Sequence, residues 1–485
     1  MENRILANTE PVEVFRYFED LTRIPRESGN EAAVCAYLVE FAKAHNLEYQ
    51  TDEVHNIIMR KPAGKGFENH PGIVLQAHMD MVCEKNAGCE HDFEKDPIQF
   101  VIEDDKIVAK ETTLGADDGI GMAFAMAVLA DDSKPYPPLE FVCTADEERG
   151  MTGVEAFDGS LIHGSILINL DSNDEGVFVV GCAGGPVVKV FLPIEKEAAP
   201  ADAAFLTISV KGLLGGHSGE DIHRGRANSN KLLTRLLETL KENVDFALAD
   251  FTGGLKYNAI PREAEAVIAV AAGDVVKVRE IVAQHQEMAS KEYWISDADI
   301  VISCAAAEAA AQVLTKASRD SLVNYLYFTQ SCIIRMNPEF PDIVESSVNL
   351  GVVRLEDDQA VIQIMTRSSM KSMYEEMFNH IRRLTELFGG TYQVMSNCPE
   401  WEYDPHSSAK QAFEALYEEM YGKKPQFLIL HAGLECGELG EKVPHKLDMI
   451  SMGPDARNLH SPGESLGIAS TQRAWKFFQE ILFKL

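Results

Sequence analysis

Four short runs in this chain of 485 residues place imidazole and carboxylate groups where they could hold cations. They are His78-Met79-Asp80, Gly115-Ala-Asp117-Asp118-Gly119, Thr144-Ala-Asp146-Glu147-Glu148, and Asn169-Leu-Asp171. Mixed nitrogen and oxygen donors of this kind suit Zn²⁺, with Co²⁺ or Mn²⁺ as substitutes, and do not suit an iron–sulfur or thiolate site. The carboxylates outnumber what one ion needs. A carboxylate bridging two divalent ions about 3.5–4 Å apart accounts for them better, because such a pair polarises a carbonyl and generates a nucleophilic hydroxide. In that scheme His78 is a ligand and Asp80 orients it through the second ring nitrogen. One member of the Glu147-Glu148 pair binds metal while its neighbour stays free as a general base.

Each run also has a plainer reading by itself. A lone histidine is usually a satisfied structural residue. Asp117-Asp118-Gly119 resembles a turn or helix cap, and Asp146-Glu147-Glu148 a solvated charge run. What joins them is position. Each follows an apolar strand or opens a buried helix, where an unsatisfied polar group is costly.

Those elements can be read from the apolar pattern. Helix spacing predicts helices over 12–21 and 31–44 and a buried helix over 119–130, and short apolar runs predict buried strands over 72–77, 139–145 and 165–170. Alternating strands and helices imply a largely parallel sheet with helices on both faces, an α/β domain whose functional residues gather at strand ends. From about residue 184 the texture changes to strands over 206–211, 347–355 and 360–365 with helices over 228–242 and 374–387. This reads as an α+β module with its helices on one side. The Ala-rich stretch 305–312 reads as an exposed helix or linker. After Cys398-Pro399 the first pattern resumes, with helices over 409–421 and 470–482 and strands over 426–430 and 449–452. The expected organisation is a discontinuous domain of residues 1–185 and 400–485, interrupted by an inserted domain of residues 186–399.

Composition narrows the partners. With 44 Lys+Arg against 76 Asp+Glu the net charge is −32, so phosphate backbones and anionic membrane surfaces would be repelled. Such acidity suits a soluble enzyme or a protein whose carboxylates hold cations. The longest nearly apolar run, 119–130, is far short of the roughly 18–20 residues of a membrane span. Nine scattered cysteines without a CxxC pair are neither a disulfide framework nor a thiolate zinc site. The N-terminal residues carry no secretory pattern. Together these features predict a reduced, cytoplasmic protein that binds neither nucleic acid nor membrane.

The ordered set of motifs resembles the cocatalytic dizinc peptidases, the group that includes peptidase T, peptidase V, carnosinase and aminoacylase. That family needs one more histidine near the C-terminus, and Gly453-Pro-Asp-Ala-Arg-Asn-Leu-His460-Ser-Pro-Gly-Glu464 supplies it. Gly212-Leu-Leu-Gly-Gly-His217 and Gly253-Gly-Leu-Lys-Tyr-Asn258 are similar to the family's lid motifs. The resemblance implies two Zn²⁺ per chain. His78 and Asp171 would bind one, Glu148 and His460 the other, and Asp117 would bridge them, with a cis peptide after it. It further implies Asp80 as the orienting residue and Glu147 as the general base. His217 would act on the substrate carbonyl or oxyanion, Asn258 and Arg367 would grip the substrate carboxylate, and Glu435 would take the free α-amine. A homodimer through the inserted domain is also implied.

Many aminoacylase-type members have a lysine where this chain has Gly119, and the loop around Glu435 differs from the Gly-rich versions elsewhere in the family. Both departures favour the dipeptidase branch, and the resemblance implies hydrolysis of unsubstituted dipeptides over a broad range, X-His such as β-alanyl-histidine included. A water between the metals would attack and Glu147 would take its proton. The competing readings are an N-acyl amino acid deacylase on the same scaffold and a non-catalytic metal-binding protein. On sequence alone Arg367 reads as a salt-bridge residue rather than a ligand, His431 as a packing residue, and His223, Arg224 and Arg226 as a solvated basic patch or an aid to anion binding by the lid.

Overall fold

In the computed structural model, which describes residues 4–485, the chain divides into two compact units. One comprises the residues up to Gly181 together with Tyr403–Ile429 and Leu434–Leu485; the other comprises Cys182–Glu402 and Leu430–Gly433. The four residues Leu430–Gly433 go with the second unit although they lie within 400–485. Their backbone bonds to it, through Ala183 N–H to the Leu430 and Ala432 carbonyls at 2.8 and 3.1 Å.

The first unit is built on an eight-stranded sheet. Its centre runs in the order Leu139–Thr144, Ile73–His78, Ile166–Asn169, Asp448–Ser451, and these four strands are mutually parallel. Three of them, Leu139–Thr144, Ile73–His78 and Ile166–Asn169, are buried at every position, as strands covered on both faces must be. The flanks are antiparallel. Glu48–Thr51 pairs with Ile57–Lys61, which pairs with Leu139–Thr144, so the whole sheet is mixed around a parallel core. The short edge strand Glu48–Thr51 is exposed throughout and needs no cover.

Helix Ala116–Ala130 is buried on all sides, and its small residues are the reason it can be. A Cβ at Gly119 would lie 2.8 Å from Arg26 Nη2, and one at Gly121 would lie 2.8 Å from Leu170 Cβ. The space that a lysine at position 119 would need is filled by Arg26. A small four-stranded sheet orders Ala456–Arg457, Ser465–Gly467, Lys106–Ala109 and Phe100–Glu103. His460 lies in the turn between the first two of these strands.

The second unit carries a nine-stranded antiparallel sheet, against the three strands that the sequence pattern suggests. Its path is Val301–Ala306, Ala203–Lys211, Ala264–Ala271, Phe246–Gly253, Val344–Leu355, Gln359–Ser368, Gly185–Pro193, Thr391–Cys398, with Cys332–Met336 added against Val344–Leu355. Alternation splits each strand between two cores. Leu206, Ile208 and Val210 join the large cluster with helices Ser229–Asn243, Val275–Glu292 and Lys316–Phe328, whereas Phe205 meets Ala269 and Val313 in a small separate one. Within the stretch 305–312, residues 307–311 form the linker and the sheet corrects the rest. Ala305 and Ala306 close a strand paired with Thr207 and Leu206, and Gln312 opens another, because backbone pairing overrides the helical preference of alanine. Among the described residues no helix is long and apolar enough to cross a membrane.

Candidate active site

Parallel strands that end together bring side chains from distant parts of the sequence together. His78 closes its strand with 1% exposure; its Nε2 lies 2.9 Å from Asp117 Oδ1 and its Nδ1 3.4 Å from Asp80 Oδ1. The other oxygen of Asp117, Oδ2, lies 3.4 Å from His460 Nε2, and that nitrogen lies 2.9 Å from Glu148 Oε1. Two donor sets therefore share Asp117. One is His78, Asp117 and Asp171, the other Asp117, Glu148 and His460, and in each the ligand atoms lie within 4.8 Å of one another. The Asp117–Asp118 peptide is cis.

The donors suit divalent cations better than they suit each other. Glu148 Oε1, Asp118 Oδ2 and His78 Nδ1 are buried without a hydrogen bond, so the approach of His460 to Glu148 lacks hydrogen-bond alignment. Unsatisfied buried carboxylates are costly, and a cation relieves that cost. Burial raises the pKa of Asp171, with the Asp117 charge adding to it and His78 opposing. At His460, the adjacent carboxylates of Asp117 and Glu148 raise the pKa to about 10, against burial.

Asp80 and Glu147 sit differently. Asp80 accepts from Ser28 Oγ at 2.7 Å and from the Glu147 and Glu148 N–H groups at 3.0 and 3.2 Å. Burial opposes its charge, but the nearby His78 ring and the bonds from Ser28 and this backbone outweigh it and bring the pKa down to about 2. An ionised Asp80 facing Nδ1 favours a proton on that nitrogen, which leaves Nε2 of His78 as the atom able to face a cation. The Glu147 carboxylate has no hydrogen-bond partner among the described residues. Burial raises its pKa, opposed by His78 and reinforced by the charges of Glu435 and Glu148, which brings a carboxylate towards the range of a working base.

Glu435 is buried at the start of helix Glu435–Lys442. Its Oε2 accepts from Gln76 Nε2 at 2.5 Å and Thr144 Oγ1 at 2.8 Å, while Oε1 has no partner. Burial raises its pKa to about 7, against the His78 charge and the Thr144 bond.

Within the second unit, His217 Nδ1 accepts the Glu220 N–H at 3.1 Å, so a neutral ring carries its proton on Nε2. That nitrogen stands 3.2 Å from Arg367 Nη2, which can only donate. In the other tautomer Nε2 accepts from Arg367 instead, so the Glu220 and Arg367 contacts compete for one ring lone pair. Arg367 is buried (6% exposed), and among the described residues it has no carboxylate in ion-pair range; burial lowers its pKa to about 10. It is therefore no salt-bridge residue. Asn258 is exposed, and its carbonyl accepts the Ser218 N–H at 2.9 Å, next to the Ala259–His217 pairing. Arg224 and Arg226 both pair with Asp221, at 3.0 and 3.3 Å, rather than forming a free patch. His431 Nε2 bonds to Ser347 Oγ at 2.7 Å.

Residues 74–484 match peptidase family M20/M25/M40. The chain belongs to this family. It is 38% identical to the cytosol non-specific dipeptidase of Escherichia coli (strain K12) over 477 residues, 98% of either chain. The solved aminoacylhistidine dipeptidase of Vibrio alginolyticus superposes with a TM-score of 0.91 at 36% identity, covering 100% of this chain and 98% of that one. Aminopeptidase PepT from Bacillus cereus shares the fold, with a TM-score of 0.56 at 15% identity over 98% of this chain and 99% of its own. The expectation of an α/β peptide hydrolase with an inserted segment is met, and the acidic runs belong to a peptidase. Two residues of the peptidase's site escaped the sequence reading. Arg26 and Glu464 are buried; Arg26 donates to the carbonyls of Met79, Asp80 and Gly115, and the Glu464 carboxylate accepts from the backbone just before Asp117. Arg26 left no sequence signal, whereas Glu464 could have been found from its place four residues after His460.

Proposed function

We propose that the protein is a two-metal dipeptidase that removes single residues from unsubstituted dipeptides, X-His included, and that its metals are zinc. The observation that carries this reading is Asp117, whose two oxygens face two different histidines, each belonging to its own donor set. His78 and Asp171 would hold one ion, Glu148 and His460 the other, and Asp117 both. When bound, such a pair supplies Lewis acidity that polarises the scissile carbonyl and lowers the pKa of water towards neutrality.

The remaining work belongs to the chain's own residues. Glu147, which has no other bond to keep, takes a proton from the attacking water and returns it to the leaving amine. Asp80 holds the tautomer of His78. His217 donates from Nε2 to the developing oxyanion. Arg367 and Asn258 hold the substrate carboxylate, for which the guanidinium fork is suited. Glu435 Oε1 is the group proposed for the free α-amine. A homodimer through the second unit and a cytoplasmic location complete the proposal, supported by the family resemblance and by the name of the E. coli relative.

The deacylase alternative is separated by substrate. Free and N-acetylated dipeptides are to be compared at equal concentration; the free forms are expected to be cleaved faster by an order of magnitude or more, and equal rates would sink the dipeptidase reading.

A further inference from the structure

Two buried charges with no part in the chemistry above meet at one turn. Residues 114–116 lead directly into Asp117. From one side the Arg26 guanidinium donates Nη2 to the Gly115 carbonyl at 2.5 Å, and Nη1 to the Met79 and Asp80 carbonyls at 2.9 and 2.8 Å. From the other, the Glu464 carboxylate accepts three successive N–H groups, those of Leu114 at 2.7 Å, Gly115 at 3.1 Å and Ala116 at 2.8 Å. Both side chains are buried, with exposures of 1% and 2%. Gly115 has φ +70°, and a Cβ on it would lie 2.4 Å from Arg26 Nη2, so the turn is shaped around this arrangement.

The connectivity gives the arrangement a purpose beyond capping a helix. Glu464 follows His460 by four residues in the same turn, and its carboxylate fastens that turn to the backbone that presents Asp117. Arg26 fastens the same backbone to the strand end that presents His78 and Asp80. Charge-assisted bonds to three consecutive amides fix position and direction together.

We propose that Glu464 is a positioning residue that sets the spacing of His460 against Asp117, while Arg26 does the same for Asp117 against His78. The proposal rests on the reading of these residues as metal ligands. Groups that orient ligands typically cost about 10- to 100-fold in metal affinity or activity when lost.

The test is Glu464→Gln, which preserves shape and one acceptor oxygen. Metal-free wild type and variant are titrated with Zn²⁺ by calorimetry, with their melting temperatures recorded without metal. The wild type is expected to take two ions, and the variant to bind one of them about 10- to 100-fold more weakly. In a His460→Ala background the same change should add little, because the turn then has no ligand to place. Zn²⁺ affinities within about two-fold of wild type, or a loss repeated in full in the His460→Ala background, would overturn the proposal. If Glu464→Gln does not fold, Glu464→Asp, one methylene short, is titrated under the same criteria. A wild type that takes up no Zn²⁺ defeats the ligand reading itself and this proposal with it; a two-ion wild type beside an unaltered variant defeats the proposal alone.

Discussion

The two units solve opposite electrostatic problems with the same device. In the first, Asp117, Glu147, Glu148 and Asp171 crowd around His78 and His460, and buried carboxylate oxygens go unsatisfied. In the second, Arg367 is buried beside His217 with no carboxylate in range among the described residues. A folded chain keeps uncompensated charge out of water only where a ligand of opposite sign completes it. On the proposed reading the acidic cluster of the first unit takes cations and the buried guanidinium of the second takes an anion, which a dipeptide supplies in its own carboxylate.

The sharpest way to break this contrast is to remove charge without removing ligands. Glu147→Gln should lower kcat by about 10²- to 10⁴-fold, the usual worth of a general base, while metal content stays at that of the wild type. Steady-state kinetics and elemental analysis on one preparation check both halves; loss of metal would move Glu147 into the ligand set. A smaller effect belongs to the second unit. Arg367→Ala should cost about 10- to 150-fold in kcat/KM on dipeptides with a free carboxylate, from the loss of charge-assisted bonds worth about 1.5–3 kcal/mol. Dipeptide amides should be almost indifferent to the change, and an equal loss on both substrates would contradict the carboxylate role.

A third effect concerns stability. Burial, with the charges of Arg367 and His217, holds the His431 pKa at about 3, below the ordinary value near 6.5. Between those values the unfolded chain binds the extra proton, so stability falls as pH drops from 6.5 towards 3, by at most about 1.4 kcal/mol per pH unit from this group. Denaturant midpoints measured across that range should fall less steeply in His431→Gln than in wild type; parallel slopes would remove His431 from the cationic group.

The contrast between the units also explains what the sequence disclosed. The first unit's ligands stand at the ends of unbroken apolar strands such as Ile73–His78 and Leu139–Thr144, so polarity changes abruptly where chemistry begins. In the second unit His217 and Asn258 sit in glycine-rich loops, and only their likeness to lid motifs singled them out. Arg367 ends its strand beside Ser368, and the absence of a counter-charge, which gives it meaning, exists only in three dimensions. The parallel core of the first sheet was legible from apolar runs, whereas its antiparallel flanks and most of the second sheet were not. Thr391–Cys398, for example, is almost wholly exposed and shows no burial alternation. Arg26 and Glu464 bond to carbonyls and amides, which every residue possesses, so nothing in the sequence marks their partners.

The central claim is that Asp117 joins two cation sites into one centre. It is tested most directly by adding Zn²⁺ stepwise to metal-free wild type while following dipeptide hydrolysis and bound metal together. The account predicts two ions per chain and full activity only when both are bound. Full activity with one ion, or with none, would contradict it.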